Sequence, residues 1–234
     1  MPAPLLHFAA HAMNTATAER PFEQLAIGQI AVDLPGATAV FRRLKLDFCC
    51  GGQVSLQEAC ERKGLETARV VAELMALRRD DTAPQTPDAN VLIDHILTRY
   101  HAVHREQLPE LIRMARRVEA VHSDNPNVPH GLAEHLEIME AELLEHMEKE
   151  EQILFPAIEA GTAGVQEPIG AMREEHIGHG EHLERLAALT NDHTPPQGAC
   201  NTWRALFAGT AQLTNDLISH IHLENNVLFP RCGA

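Results

Sequence analysis

Two stretches of the 234-residue chain carry the same metal-capable side chains in the same order. Residues 146–156 read HMEKEEQILFP and residues 220–230 read HIHLENNVLFP: a histidine, a glutamate four positions on, then Leu-Phe-Pro. In a helix, positions i and i+4 lie one turn apart, so His146 stands beside Glu150 and His220 beside Glu224, an imidazole with a carboxylate. With 15 His and 24 Glu in the chain, roughly one or two such pairs arise by chance. His130 with Glu134 is one of these, since no Leu-Phe-Pro follows it. The Leu-Phe-Pro is expected to pack and then close each helix, because proline cannot continue it.

A further histidine precedes each pair by a near-equal interval, His101 before His146 and His176 before His220. Turn-rich breaks, SDNPNVPHG at 123–131 and NDHTPPQG at 191–198, separate the members, so the second half of the chain reads as two helix hairpins. The histidines of each hairpin stand at comparable distances from its break and meet at one level of an antiparallel bundle. Four His and two Glu suit a pair of transition metals: imidazole binds iron, zinc, copper or nickel, and carboxylates bridge two ions. The mixture favours iron or manganese over calcium or magnesium, and zinc accepts the same donors. Two His per metal with two shared carboxylates leave coordination positions open, as in a working site rather than a structural one. His104 is the local rival of His101, and His179 that of His176, where repeat spacing selects between them. Glu175 is either a proton relay and support for a ligand or a solvated helix residue. His222 is expected to point elsewhere.

The elements that must position these residues are helical throughout. Aromatic residues make up 4% of the chain, apolar residues recur at three- and four-residue spacing, and no alternating run marks a strand. Bundle helices are expected over about 91–121, with Pro109 allowing a kink, and over 131–155, 167–189 and 200–229. Residues 1–20 read as a flexible extension and 81–90 as a linker. Between them, 21–80 form a small domain with helices at 21–34, 36–48 (started by Pro35), 55–64 (capped by Ser55 with Glu58) and 65–79. Its one chemical feature is the DFCCGG turn at 47–52, where the glycines are expected to adopt unusual angles and expose the thiols of Cys49 and Cys50. The alternative is two small buried residues at a tight turn. Adjacent cysteines chelate poorly beside a Cys-x-x-Cys pair. Cys60, Cys200 and Cys232 read as packing residues, and five irregularly spaced cysteines fit reduced thiols in the cytoplasm.

The net charge of −14 lies in the second part, where residues 81–234 carry 10 Lys or Arg against 24 Asp or Glu while residues 21–80 are balanced. Such a surface repels phosphate, which argues against nucleic acid as a partner. No apolar run is long enough for a membrane span, and the N-terminus lacks the basic start of a secretory signal.

FRRLKLDFCCGG, RYHAVHREQLPEL and the two His-x-x-x-Glu segments together resemble the repair-of-iron-centres proteins, whose bundle is of the haemerythrin-like di-iron type; the likeness runs from about residue 21 to the end. The resemblance implies an all-α fold, an up-down four-helix bundle over 91–234 preceded by the small helical domain. It further implies a cytoplasmic protein with two iron ions per chain, oxo- and carboxylate-bridged. Its partners would be iron–sulfur proteins damaged under nitrosative or oxidative stress, with nitric oxide or oxygen as small ligands, and the pattern is compatible with a homodimer. On this reading His101, His146, His176 and His220 are terminal ligands, Glu150 and Glu224 bridge, and Cys49 and Cys50 take part in the repair. Oxygen-carrying haemerythrins use five His where this chain matches four, which argues against reversible oxygen carriage. Two other classes compete. One is a module that binds or senses nitric oxide or oxygen without turnover; the other is a ferritin-like oxidase, which would use Glu-x-x-His pairs instead.

Overall fold

The computed structural model describes residues 21–77 and 88–233; the extension at 1–20 and most of the expected linker lie outside them. No strand occurs among the described residues, only an isolated bridge between Ala26 and Ser55. The small domain consists of a 3₁₀ turn at Phe22–Gln24 followed by α1 (Ile27–Asp33), α2 (Ala37–Arg43), α3 (Leu56–Arg62) and α4 (Thr67–Ala76). They close over Ile27, Phe41, Phe48, Leu56 and Leu74, each nearly fully buried; such side chains contribute about 1.5–3 kcal/mol apiece. α3 starts where expected, with the Ser55 hydroxyl accepting from the Glu58 N–H.

The first two helices are shorter than the pattern suggests. The 21–34 segment breaks at Leu25 and Ala26, whose neighbourhood pairs with the chain around Ser55: Ile27 N–H donates to Val54 O and Leu56 N–H to Leu25 O. α2 begins at Ala37, after Gly36 in the left-handed region at φ 91°, and ends before Lys45, itself at φ 54°. Tertiary backbone pairing here overrides helix propensity.

The bundle contains four long helical runs. The first is α5 (Ala89–Ile96), a π turn at Leu97–His101 and α6 (Ala102–Val121). The second is α7 (Leu132–Lys149), a π turn at Glu150–Leu154 and α8 (Phe155–Glu159). α9 (Gln166–Leu189) is uninterrupted, and α10 (Asn201–Leu223) passes through a π turn at Glu224–Leu228 into a 3₁₀ turn at Phe229–Cys232. Proline does not close the two repeat helices as expected. The extra residue in each π turn re-registers the ladder, and Pro156 and Pro230 fall in the first turn of the segment that resumes, where a missing N–H is tolerated. Two apolar layers fill the bundle. One is built from Leu111, Leu136, Leu143, Trp203 and Leu213, the other from Ile93, Ile96, Leu154, Phe155, Leu228 and Phe229. The histidines and glutamates of the repeat are themselves fully or nearly fully buried.

Candidate metal centre

The structure brings together all six residues singled out in the bundle. His101, Glu150, His220 and Glu224 form one group and His146, Glu150, His176 and Glu224 a second, with the candidate ligand atoms in each within 4.8 Å of one another. Each group takes one histidine from each hairpin, and both glutamates belong to both groups. The inward atoms are the Nε2 nitrogens: His101 to His220 at 3.1 Å, His176 to His146 at 3.2 Å, and His176 to Glu224 at 3.1 Å.

What aims these nitrogens inward is the hydrogen bonding on the other side of each ring. His101 Nδ1 donates to Glu151 at 2.7 Å, and Arg105 grips both oxygens of that carboxylate. His146 Nδ1 donates to Glu175 at 2.8 Å, pinned in turn by Lys149. His176 Nδ1 donates to Asn225 Oδ1 at 3.0 Å. A proton held on Nδ1 leaves the Nε2 lone pair facing the centre. His220 is oriented differently: its Nδ1 has no hydrogen-bond partner among the described residues, and Tyr100 stacks on its ring at 5.3 Å.

The centre obeys an internal two-fold relation that follows the repeat. Glu151 and Asn225 occupy the same repeat position, directly after the glutamate, and each holds the histidine of a neighbouring helix. Phe155 stacks on His101 and Phe229 on His176. His104 and His179, three residues after His101 and His176, are both buried, beside His220 and His146 respectively. They stand outside the two candidate groups, with Nδ1 and Nε2 of His104 and Nε2 of His179 lacking hydrogen-bond partners among the described residues. Six buried histidines therefore surround the centre where the sequence pattern counted four.

The donor set fits a pair of cations. Glu150 presents both oxygens, and Glu224 one, without a hydrogen bond, although histidine nitrogens approach Glu150 to 3.3 and 3.5 Å. Lone pairs crowded together in a dry layer repel unless positive charge sits between them. Without metal, burial and the neighbouring Glu224 push the Glu150 carboxyl well above its usual range. Burial acts the same way on Glu224, but His220 and His176 outweigh it and hold that group low. Burial, then His176, drives His146 down to about 2, so its ring is neutral, the form that binds metal.

The cysteine turn differs from the expectation of glycines at unusual angles and exposed thiols. Gly51 and Gly52 are not in the left-handed region; they are required by close approach. A Cβ on Gly52 would come within 2.7 Å of Phe48 O and 2.6 Å of Asn226 Oδ1, and one on Gly51 within 2.9 Å of Asp47 Oδ2. The thiols are also less exposed than expected. Cys49 is 9% exposed and Cys50 only partly accessible, because Asn225 and Asn226 both donate to Cys49 O and tie the turn to the bundle. Cys50 Sγ donates to His176 O at 3.3 Å. Glu175 is a ring-holding partner of His146, and His222 does point away from the centre, onto Phe48.

Paired His/Glu groups inside an antiparallel helical bundle define a haemerythrin-type cation-binding protein. Residues 92–232 match the family described as the Hemerythrin HHE cation binding domain, and residues 23–78 match ScdA_N, a domain of unknown function. The chain is 48% identical over 211 residues to the iron-sulfur cluster repair protein YtfE of Escherichia coli O157:H7, an alignment covering 89% of this chain and 96% of that protein. It is 46% identical over 216 residues to the protein of the same name from Citrobacter koseri, covering 91% and 98%. The chain belongs to this family of iron–sulfur cluster repair proteins, with a haemerythrin HHE bundle behind a ScdA_N domain. No helix among the described residues is long and apolar enough to cross a membrane.

Proposed function

We propose that this chain repairs iron–sulfur clusters damaged by nitric oxide or oxidants, using two irons held in the bundle. His101 and His220 would hold one iron and His146 and His176 the other, with Glu150 and Glu224 shared. The observation that carries this reading is that sharing: two complete donor groups have both buried carboxylates in common. Bound there, iron supplies redox chemistry, open positions for a small ligand, and an ion that can be passed to a broken cluster. The chain's own part is to fix ring orientation through Glu151, Glu175 and Asn225, and to keep the centre dry beneath Phe155 and Phe229. Cys49 and Cys50, tied to this centre through Asn225, take part from the small domain. The work is done in the cytoplasm on iron–sulfur client proteins.

The test is anaerobic recovery of an enzyme whose [4Fe–4S] cluster has been damaged by nitric oxide. The iron-loaded chain restores activity, and His146→Ala with Glu150→Ala does not. Equal recovery with free ferrous iron at the same concentration would overturn the proposal.

A further inference from the structure

Among the described residues, one cluster of side chains able to ligate a metal lies outside the bundle centre. Asp47, Cys49 and Cys50 bring a carboxylate oxygen and two sulfurs within 4.8 Å of one another. The two sulfurs are 3.7 Å apart. Two thiolates bound to one ion at about 2.3 Å each, with a tetrahedral angle between them, stand about 3.7–3.8 Å apart. The turn therefore holds its adjacent thiols at a chelating separation, contrary to what sequence adjacency suggests.

Asp47 makes this spacing. Its carboxylate accepts from the backbone N–H groups of Cys49, Cys50 and Gly51 at 3.2, 3.0 and 2.9 Å, which curls the backbone around it. Its Oδ1 lies 3.3 Å from Cys49 Sγ, in place to be a third donor. Beside the sulfurs is a cavity of about 240 Å³ lined by Cys49, Cys50, Gln53, Arg173, Asn225 and Asn226. It leaves room for a fourth ligand from outside. The cluster also touches the bundle centre, through Cys50 Sγ to His176 O and through Asn225, which contacts both His176 and Cys49.

We propose that Asp47, Cys49 and Cys50 form a second, open metal site that takes one ferrous ion as a bis-thiolate complex. Two thiolates with one carboxylate suit a thiophilic divalent ion and disfavour calcium and magnesium. Binding displaces the two thiol protons to solvent and changes no oxidation state. The geometry stands independently of the repair activity; the choice of iron rests on it.

The experiment adds ferrous iron, enriched in the Mössbauer-active isotope, anaerobically to the full chain already loaded with natural-abundance iron. The expected result is one added ion per chain with sulfur ligation and a near-ultraviolet thiolate-to-iron absorption. Both signals are lost in Cys49→Ser and in Cys50→Ser, while the bundle iron stays at its wild-type amount. Asp47→Asn, which keeps an oxygen acceptor for the turn, weakens binding. Failure to retain the added ion, ligation by nitrogen and oxygen alone, or signals that survive both cysteine variants would overturn the site. A bundle that never held iron would refute the proposed function and still leave the sulfur signal readable.

Discussion

Asn225→Ala isolates one of the two proposed metal positions. In the metal-free chain the change leaves His176 Nδ1 without its 3.0 Å acceptor on a fully buried ring, at a cost of about 1–3 kcal/mol. Cys49 O loses one donor and keeps the other, Asn226 Nδ2 at 3.2 Å, so the tie to the small domain is weakened rather than cut. The total is about 2 kcal/mol, which lowers Tm by about 4–8 °C for a chain of this size. The larger effect is on metal. Without Asn225, nothing fixes the Nδ1–H form of His176, and loss of such a partner lowers metal affinity about 10–100-fold, or about 1.4–2.8 kcal/mol. Only the group of His146 and His176 is affected directly, because His101 is held by Glu151 instead. Iron release to a chelator, followed by absorbance and by metal content, should become biphasic, with one iron leaving about 10–100 times faster. Glu151→Ala should speed release of the other iron. A single phase at the wild-type rate, or equal acceleration of both irons, would refute the reasoning.

Two further outcomes follow from the junction between the domains. Burial lowers His222 from 6.5 to about 4, so the unfolded chain takes up a proton that the folded chain refuses as pH falls through this window. Its contribution is complete above pH 6.5, and about 3 kcal/mol of stability is lost by pH 4; His222→Phe should flatten the acid limb of a denaturation curve measured between pH 4 and 7. An unchanged slope would exclude His222 as a source of acid lability. Gly52→Ala places a Cβ within 2.7 Å of Phe48 O and 2.6 Å of Asn226 Oδ1 and should destabilise the chain by about 1–3 kcal/mol in urea. Wild-type stability would show that the turn moves aside freely.

The convergence of the two donor groups was legible because a cluster built on helices repeats a short spacing. His146 with Glu150 and His220 with Glu224 are fixed by one helical turn, and the near-equal intervals to His101 and His176 follow from two similar hairpins. The groups that orient the rings were harder to see, because Glu151 and Asn225 act across helices and differ in chemistry. The signal available was positional: both follow the glutamate in their copy of the repeat. His104 and His179 read as alternatives to the ligands because spacing offers one role per turn, whereas the bundle buries both beside the centre. The passage of both helices beyond the π turns to Pro156 and Pro230 is not legible in the sequence, because a π turn, which shifts the register by one residue, leaves no mark in the apolar periodicity. The cysteine turn is ambiguous in the sequence because glycine has two uses, and here Phe48 O and Asn226 demand a missing side chain rather than an unusual angle.

The most direct test of the central claim is the metal content and Mössbauer spectrum of the chain purified without oxygen, alongside Glu150→Ala with Glu224→Ala. The account predicts about two irons per chain in a histidine and carboxylate environment, lost in the double variant. One zinc, or no metal, would contradict it.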